Sequence, residues 1–105
     1  MSKYIKKRFM EDIKQELLDL NFNIDSIGII YWVEAIKFVK NQPLEWDMMN
    51  IYEYIADKYR KLKSRIERCM RNAIEPAKEN IQNKYEHYGK IRNQTFLNLI
   101  RFKLI

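Results

Sequence analysis

Apolar residues recur along this chain at helical intervals, with polar residues filling the gaps. Over residues 4–20, Ile5, Phe9, Ile13, Leu17 and Leu20 are spaced three or four apart, with Lys, Glu and Asp between them. That spacing predicts an amphipathic helix. Asn21-Phe22-Asn23 interrupts the pattern, and Asp25 or Ser26 is placed to cap the next helix by accepting from its first free N–H groups. Residues 27–40 are apolar nearly all round except at Glu34, Lys37 and Lys40, which predicts a buried central helix. Ile27 to Val33 alone would also suit a strand. The Glu34/Lys37 strip and the lack of a turn before Asn41 favour the helix.

Asn41-Gln42-Pro43 stops that element. Asp47 can cap a helix running to Tyr59, with Ile51, Ile55 and Tyr59 on one face. A link at residues 60–62 leads into a further helix expected to continue to about residue 82, kinked where Pro76 removes a backbone hydrogen bond. Gly89 marks a loop, and Asn93 can cap a last helix, 94–104, rich in Phe96, Leu97, Leu99, Ile100, Phe102 and Leu104. The sum is an all-α domain of about six helices.

Composition narrows the class without naming a function. A chain of 105 residues has room for one modest core. With 47% hydrophobic and 32% charged residues it is globular rather than disordered. The longest apolar run, Ile27 to Val33, is far too short to span a bilayer. Lys3, Lys6, Lys7 and Arg8 lead into Glu11 and Asp12, unlike a signal peptide. The single cysteine, Cys69, fits a reducing compartment, so a cytoplasmic protein is expected.

The position of the positive charge is more telling than its sum. Arg60, Lys61, Lys63, Arg65, Arg68 and Arg71 stand against Glu67 alone over residues 60–72, while the rest of the chain is nearly balanced, with 14 basic and 13 acidic residues. Almost all of the net charge of +6 therefore sits on one element, as in an electrostatic footprint for a polyanion. On a helical projection Leu62, Ile66, Cys69, Met70, Ala73 and Ala77 share one stripe. Lys61, Ser64, Arg68, Arg71, Asn72 and Glu75 lie opposite, with Arg65 and Glu67 on the two flanks.

The helix at 47–59 and this one, joined by a short turn, have the lengths of a helix-turn-helix. In that motif the second helix enters the major groove with its N-terminal half leading. Arg65, Glu67 and Arg68 occupy that half. Arg can grip guanine O6 and N7 with two hydrogen bonds, and a carboxylate can accept from cytosine N4. Arg60, Lys61, Lys63 and Arg71 are suited to phosphates. The plainer alternative is a solvated or protein-binding face, since most charge runs on amphipathic helices are no more than that.

Ser64-Arg65-Ile66-Glu67-Arg68, then Arg71, then Ala73-Ile74-Glu75, resembles the recognition helix of the C-terminal effector domain of the sporulation initiation factor, the stage zero sporulation protein A family. Ile51-Tyr52, Ile55-Ala56 and Lys58-Tyr59 resemble that family's preceding helix. Gly28, Tyr31, Glu34, Ala35 and Ile36 resemble its early helix, and Asn93, Phe96 and Lys103-Leu104 its close. The resemblance covers about residues 20 to 105. It implies a six-helix, winged-helix-related DNA-binding domain of a bacterial transcription regulator, acting on short promoter boxes, often as a dimer. Carried over position by position, Arg65, Glu67 and Arg68 would face base edges, while Ser64, Arg71 and Asn72 would approach the backbone.

The departures from the pattern are local. Arg60-Lys61-Leu62 replaces Asn-Thr-Thr in the turn, which removes a helix cap and adds two charges. Asp25 stands for a His, Val33 for an Arg, and Pro76 and Lys78 for Val and Trp. Twenty residues ahead of the resemblance cannot hold the family's receiver domain. The expectation is thus a stand-alone effector domain at 21–105, with residues 1–20 supplying either extra core or a dimer surface.

Other chemistry finds little support. His87 has no Cys or His at ligand spacing, Cys69 lies on the apolar stripe, and no Gly-rich phosphate loop exists. Neither a metal, a cofactor nor a small-molecule substrate is expected, and an enzyme is not. Two readings remain. One is a reader of double-stranded DNA, forming homodimers through its first or last helix. The other is a protein-interaction module or antagonist that keeps the fold without operator binding.

Overall fold

The computed structural model describes residues 12–41 and 47–104. All regular structure among them is helical. A helix at 12–19 (α1) is followed by α2 (Ile27–Asn41), α3 (Met48–Tyr59), α4 (Lys63–Ile74), a 3-10 turn (Glu75–Ala77), α5 (Lys78–Tyr85) and α6 (Asn93–Leu104). The expected helical turns around Ile5 and Phe9, and the stop at Pro43, lie outside the described residues.

Helix α2 is central because it is apolar on most sides. Tyr31, Trp32, Val33, Ala35, Ile36 and Val39 are all buried, and the helix packs on α3, α4 and α6. The apolar run that also suited a strand is therefore helical. At Gly28 the α2 and α4 backbones nearly touch: a Cβ there would lie 2.5 Å from the Cys69 carbonyl oxygen and 2.7 Å from Ala73 Cβ. Glycine is required by that close approach. One turn on, the Trp32 indole N–H donates to the Met70 carbonyl at 2.9 Å. Phe96 of α6 meets the Trp32 ring edge-on at 5.0 Å between centroids, and Phe22 packs on Phe96 at 5.4 Å.

Two buried carboxylates tie helices together. Glu34 of α2 accepts from Lys58 Nζ of α3 at 2.7 Å and from Lys37 Nζ at 3.5 Å. Glu16 of α1 accepts from Lys84 Nζ at 2.9 Å and from the Tyr85 hydroxyl at 2.8 Å, both on α5. Burial and the Glu16 carboxylate push the Tyr85 phenol far above its ordinary range, so it remains a donor. On the same helix Ile13 and Leu17 are fully buried, as is Leu20 just beyond it.

Helix ends follow local chemistry. The Ser26 hydroxyl accepts from the Gly28 N–H at 3.2 Å at the start of α2. Asp47 caps α3 by accepting from the Asn50 N–H at 2.8 Å. Asn21, Arg60 and Glu86 take left-handed backbone conformations after α1, α3 and α5, with φ of 76°, 54° and 52°. The next residue then donates back to a carbonyl of the last turn: Phe22 to Leu17, Lys61 to Ala56, and His87 to Gln82, each at 3.0 Å. The long helix expected up to residue 82 is instead two. Pro76, which lacks an N–H, sits in a 3-10 turn, and α4 closes with the Glu75 N–H donating to the Asn72 carbonyl.

Candidate nucleic-acid interface

Helix α4 carries the candidate surface because its two faces do different work. Ile66, Met70, Ala73 and Ile74 are buried against the core. Ser64, Arg65, Arg68, Arg71 and Asn72 are exposed on the other side, and Arg60, Lys61 and Lys63 are exposed at its start. Leu62, grouped with the apolar stripe in the sequence, is 76% exposed. The chain turns at Arg60 and the helix begins only at Lys63, so Leu62 is extended (φ −72°, ψ 145°) and does not share the helical phase.

The cations are differently committed. Arg60, Lys61, Arg65 and Arg68 form no ion pair among the described residues. Lys63 Nζ lies 3.1 Å from Glu53 of α3, and Arg71 Nε 3.5 Å from Glu67 one turn back. Exposed pairs of this kind contribute about 0–1 kcal/mol, so both cations can be drawn to a stronger anion. Arg65 lies on the flank toward α2, where its charge partly offsets the rise that burial causes in the Tyr31 phenol. Glu67 is half-buried on the opposite flank, toward α6.

The start of α4 is open. Leu62 offers no side-chain cap. Its carbonyl accepts from the Arg65 and Ile66 N–H groups at 3.0 and 3.1 Å. The N–H groups of the first turn, Lys63 and Ser64, are thus left for an outside acceptor.

Beyond Glu67 the surface folds into a cleft of about 550 Å³. Tyr52, Glu67 and Arg71 form one wall, and Lys90, Arg92 and Asn93 the other. Asn93 does not cap α6 as expected. Its amide nitrogen donates inward, to the Tyr52 hydroxyl at 2.9 Å and to the Glu67 carbonyl at 3.3 Å, and its buried Oδ1 has no partner among the described residues. Burial raises the Tyr52 phenol above its ordinary value, and the Asn93 contact works against that rise. Sequence reading missed Lys90 and Arg92, which are scattered charges in a loop. The only signal was their alternation with Ile91, which is buried between them.

Among the described residues the domain is all-helical, with one exposed, cation-rich helix face. The chain matches the model of the family "Sporulation initiation factor Spo0A C terminal" over residues 13–104, and it belongs to that family. The match begins inside α1. The family is a DNA-binding regulatory one, associated with transcription and sporulation. Neither curated proteins nor solved structures give a match to the chain. Among the described residues no helix is long and apolar enough to cross a membrane.

Proposed function

We propose that this protein reads double-stranded promoter DNA as a transcription regulator, with α3 and α4 as a winged-helix-type helix-turn-helix and α4 in the major groove. The observation that carries this reading is the state of the outer α4 face: Arg65 and Arg68 are exposed, and without an ion pair among the described residues, on a helix whose other side is locked in the core. A carboxylate partner would already have neutralised them. Arg65, Arg68 and Glu67 meet base edges, with Glu67 exchanging its weak contact to Arg71 for a cytosine amino group. Arg60, Lys61, Lys63, Ser64, Arg71 and Asn72 hold the phosphates, aided by the uncapped first turn.

Two copies on adjacent boxes, meeting through the first or last helix, belong to the same reading. In vitro selection from a random duplex pool tests it. A recurrent box is the expected result, and Arg68→Ala should relax the preference at a single position. Random output would sink the proposal.

A second reading draws on one other feature. Ile24 and Ile30, 65% and 43% exposed, line a groove of about 290 Å³ between α1 and α2, and Ile27 is 49% exposed at the start of α2. A protein partner covering that patch would make this an interaction module. Retained box selection by an Ile27→Asp/Ile30→Asp variant separates the two.

A further inference from the structure

We propose that the cleft between α4 and the α5–α6 loop is a second grip on the DNA phosphate backbone, with Lys90 and Arg92 as its dedicated cations. The inference rests on the DNA-reading role of α4 and extends its footprint to a part of the chain about twenty residues away in sequence.

The charge state of the cleft supports an anionic ligand. Four cations line it, Arg71, Lys78, Lys90 and Arg92, against two carboxylates, Glu67 at 3.5 Å from Arg71 and Glu75 at 2.9 Å from Lys78. Lys90 and Arg92 form no ion pair among the described residues, so they are surplus positive charge at its rim.

The loop is also positioned rather than loose. Ile91 is 5% exposed, and its burial turns Lys90 and Arg92 outward on either side. At the base of the loop the His87 N–H donates to the Gln82 carbonyl at 3.0 Å. On the far side Asn93 is anchored to both Tyr52 and the Glu67 carbonyl, which ties the loop's end to α3 and to α4 directly. A pair of cations held at a fixed offset from a groove-reading helix suits a polymer whose phosphates recur at a fixed spacing.

Arg71 lies between the two surfaces. It lines the cleft and also belongs to the exposed face that bears Arg68. One strand of the duplex can therefore pass from Arg71 into the cleft while α4 occupies the adjoining groove. Asn93 lies at the same wall, and its buried Oδ1 has no partner among the described residues.

The test is a Lys90→Gln/Arg92→Gln variant of the whole chain, with its thermal midpoint measured alongside as a control for folding. Both side chains are exposed, so the midpoint should not move. Affinity at low salt should fall about tenfold on the selected box and on a scrambled duplex alike, because phosphate contacts carry no sequence information. The slope of log affinity against log salt should flatten by about two. The base preferences found by selection should stay as in the parent.

An unchanged slope in a variant series where Arg68→Ala still relaxes specificity would overturn the cleft while leaving the role of α4 intact. Failure of the parent chain to bind any duplex overturns both. Titration with inorganic phosphate, followed by the amide signals of Arg92 and Gln94, distinguishes a backbone phosphate from a free one. Saturable shifts with phosphate alone at sub-millimolar concentration would assign the cleft to a soluble anion instead.

Discussion

The inner and outer faces of α4 are made from the same dozen residues and obey different rules. Inside, Ile66, Met70, Ala73 and Ile74 are buried, the Cys69 carbonyl and Ala73 approach α2 so closely that only glycine fits at position 28, and the Met70 carbonyl is claimed by Trp32. Outside, Ser64, Arg65, Arg68 and Asn72 have room, water and few partners. The inner face sets where the helix lies and in what rotation. The outer face can then vary in chemistry without disturbing either. A change on one face should register in stability and a change on the other in recognition, and that separation can be tested.

The largest effect belongs to the inner face. Ile66→Ala should lower unfolding free energy by about 2–5 kcal/mol through lost transfer energy and a cavity under α4. Chemical denaturation reads this directly, and DNA affinity corrected for the folded fraction should be nearly unchanged. Equal losses in both would show that the faces are coupled.

Arg68→Ala is the reciprocal change. Stability should stay within about 0.5 kcal/mol, since the side chain is exposed. Binding to the selected box should weaken by about 1–3 kcal/mol, with discrimination lost at one base pair, as measured by competition gel shift.

Leu62→Ser probes the boundary between the faces. Leu62 is 76% exposed and caps nothing, so little burial is lost. A serine hydroxyl accepting from the first turn should stabilise the protein by about 1 kcal/mol. It should also weaken DNA binding slightly, because it occupies N–H groups that a phosphate would otherwise use. A gain in stability with no change in binding would remove the open first turn from the proposed interface.

Arg60→Gly is the smallest. Relief of the left-handed strain at φ 54° favours the variant by about 1 kcal/mol, and the greater freedom of glycine in the unfolded chain offsets part of it. A net gain near 0.5 kcal/mol is expected. The salt slope of DNA binding should flatten by about 0.9 if Arg60 holds a phosphate.

Much of this is legible along the chain because it is local. Helical periodicity is a local property, so α2, α3 and the buried side of α4 could be read from spacing alone. Asp47 could be identified as a cap because capping involves only the next three residues. The run Ser64-Arg65-Ile66-Glu67-Arg68 with Arg71 carried the family resemblance, and the family match covers the same region. Local rules fail where a turn or a distant partner intervenes. Leu62 leaves the apolar stripe because the turn before α4 breaks the helical phase. Asn93 looked like a cap, yet its amide is drawn inward by Tyr52 and the Glu67 carbonyl, partners 41 and 26 residues distant. Pro76 does more than kink one helix, since its 3-10 turn divides the segment into α4 and α5.

The sequence by itself determined the all-α class, the family, and the split of α4 into a greasy side and a basic one, because each follows from residue types a few positions apart. Tertiary structure alone decided which cations stand together. Lys90 and Arg92 reach the edge of α4 only because Ile91 is buried between them and Asn93 is fastened to two other helices. Contacts of that kind depend on how the core closes, and no spacing along the chain encodes them.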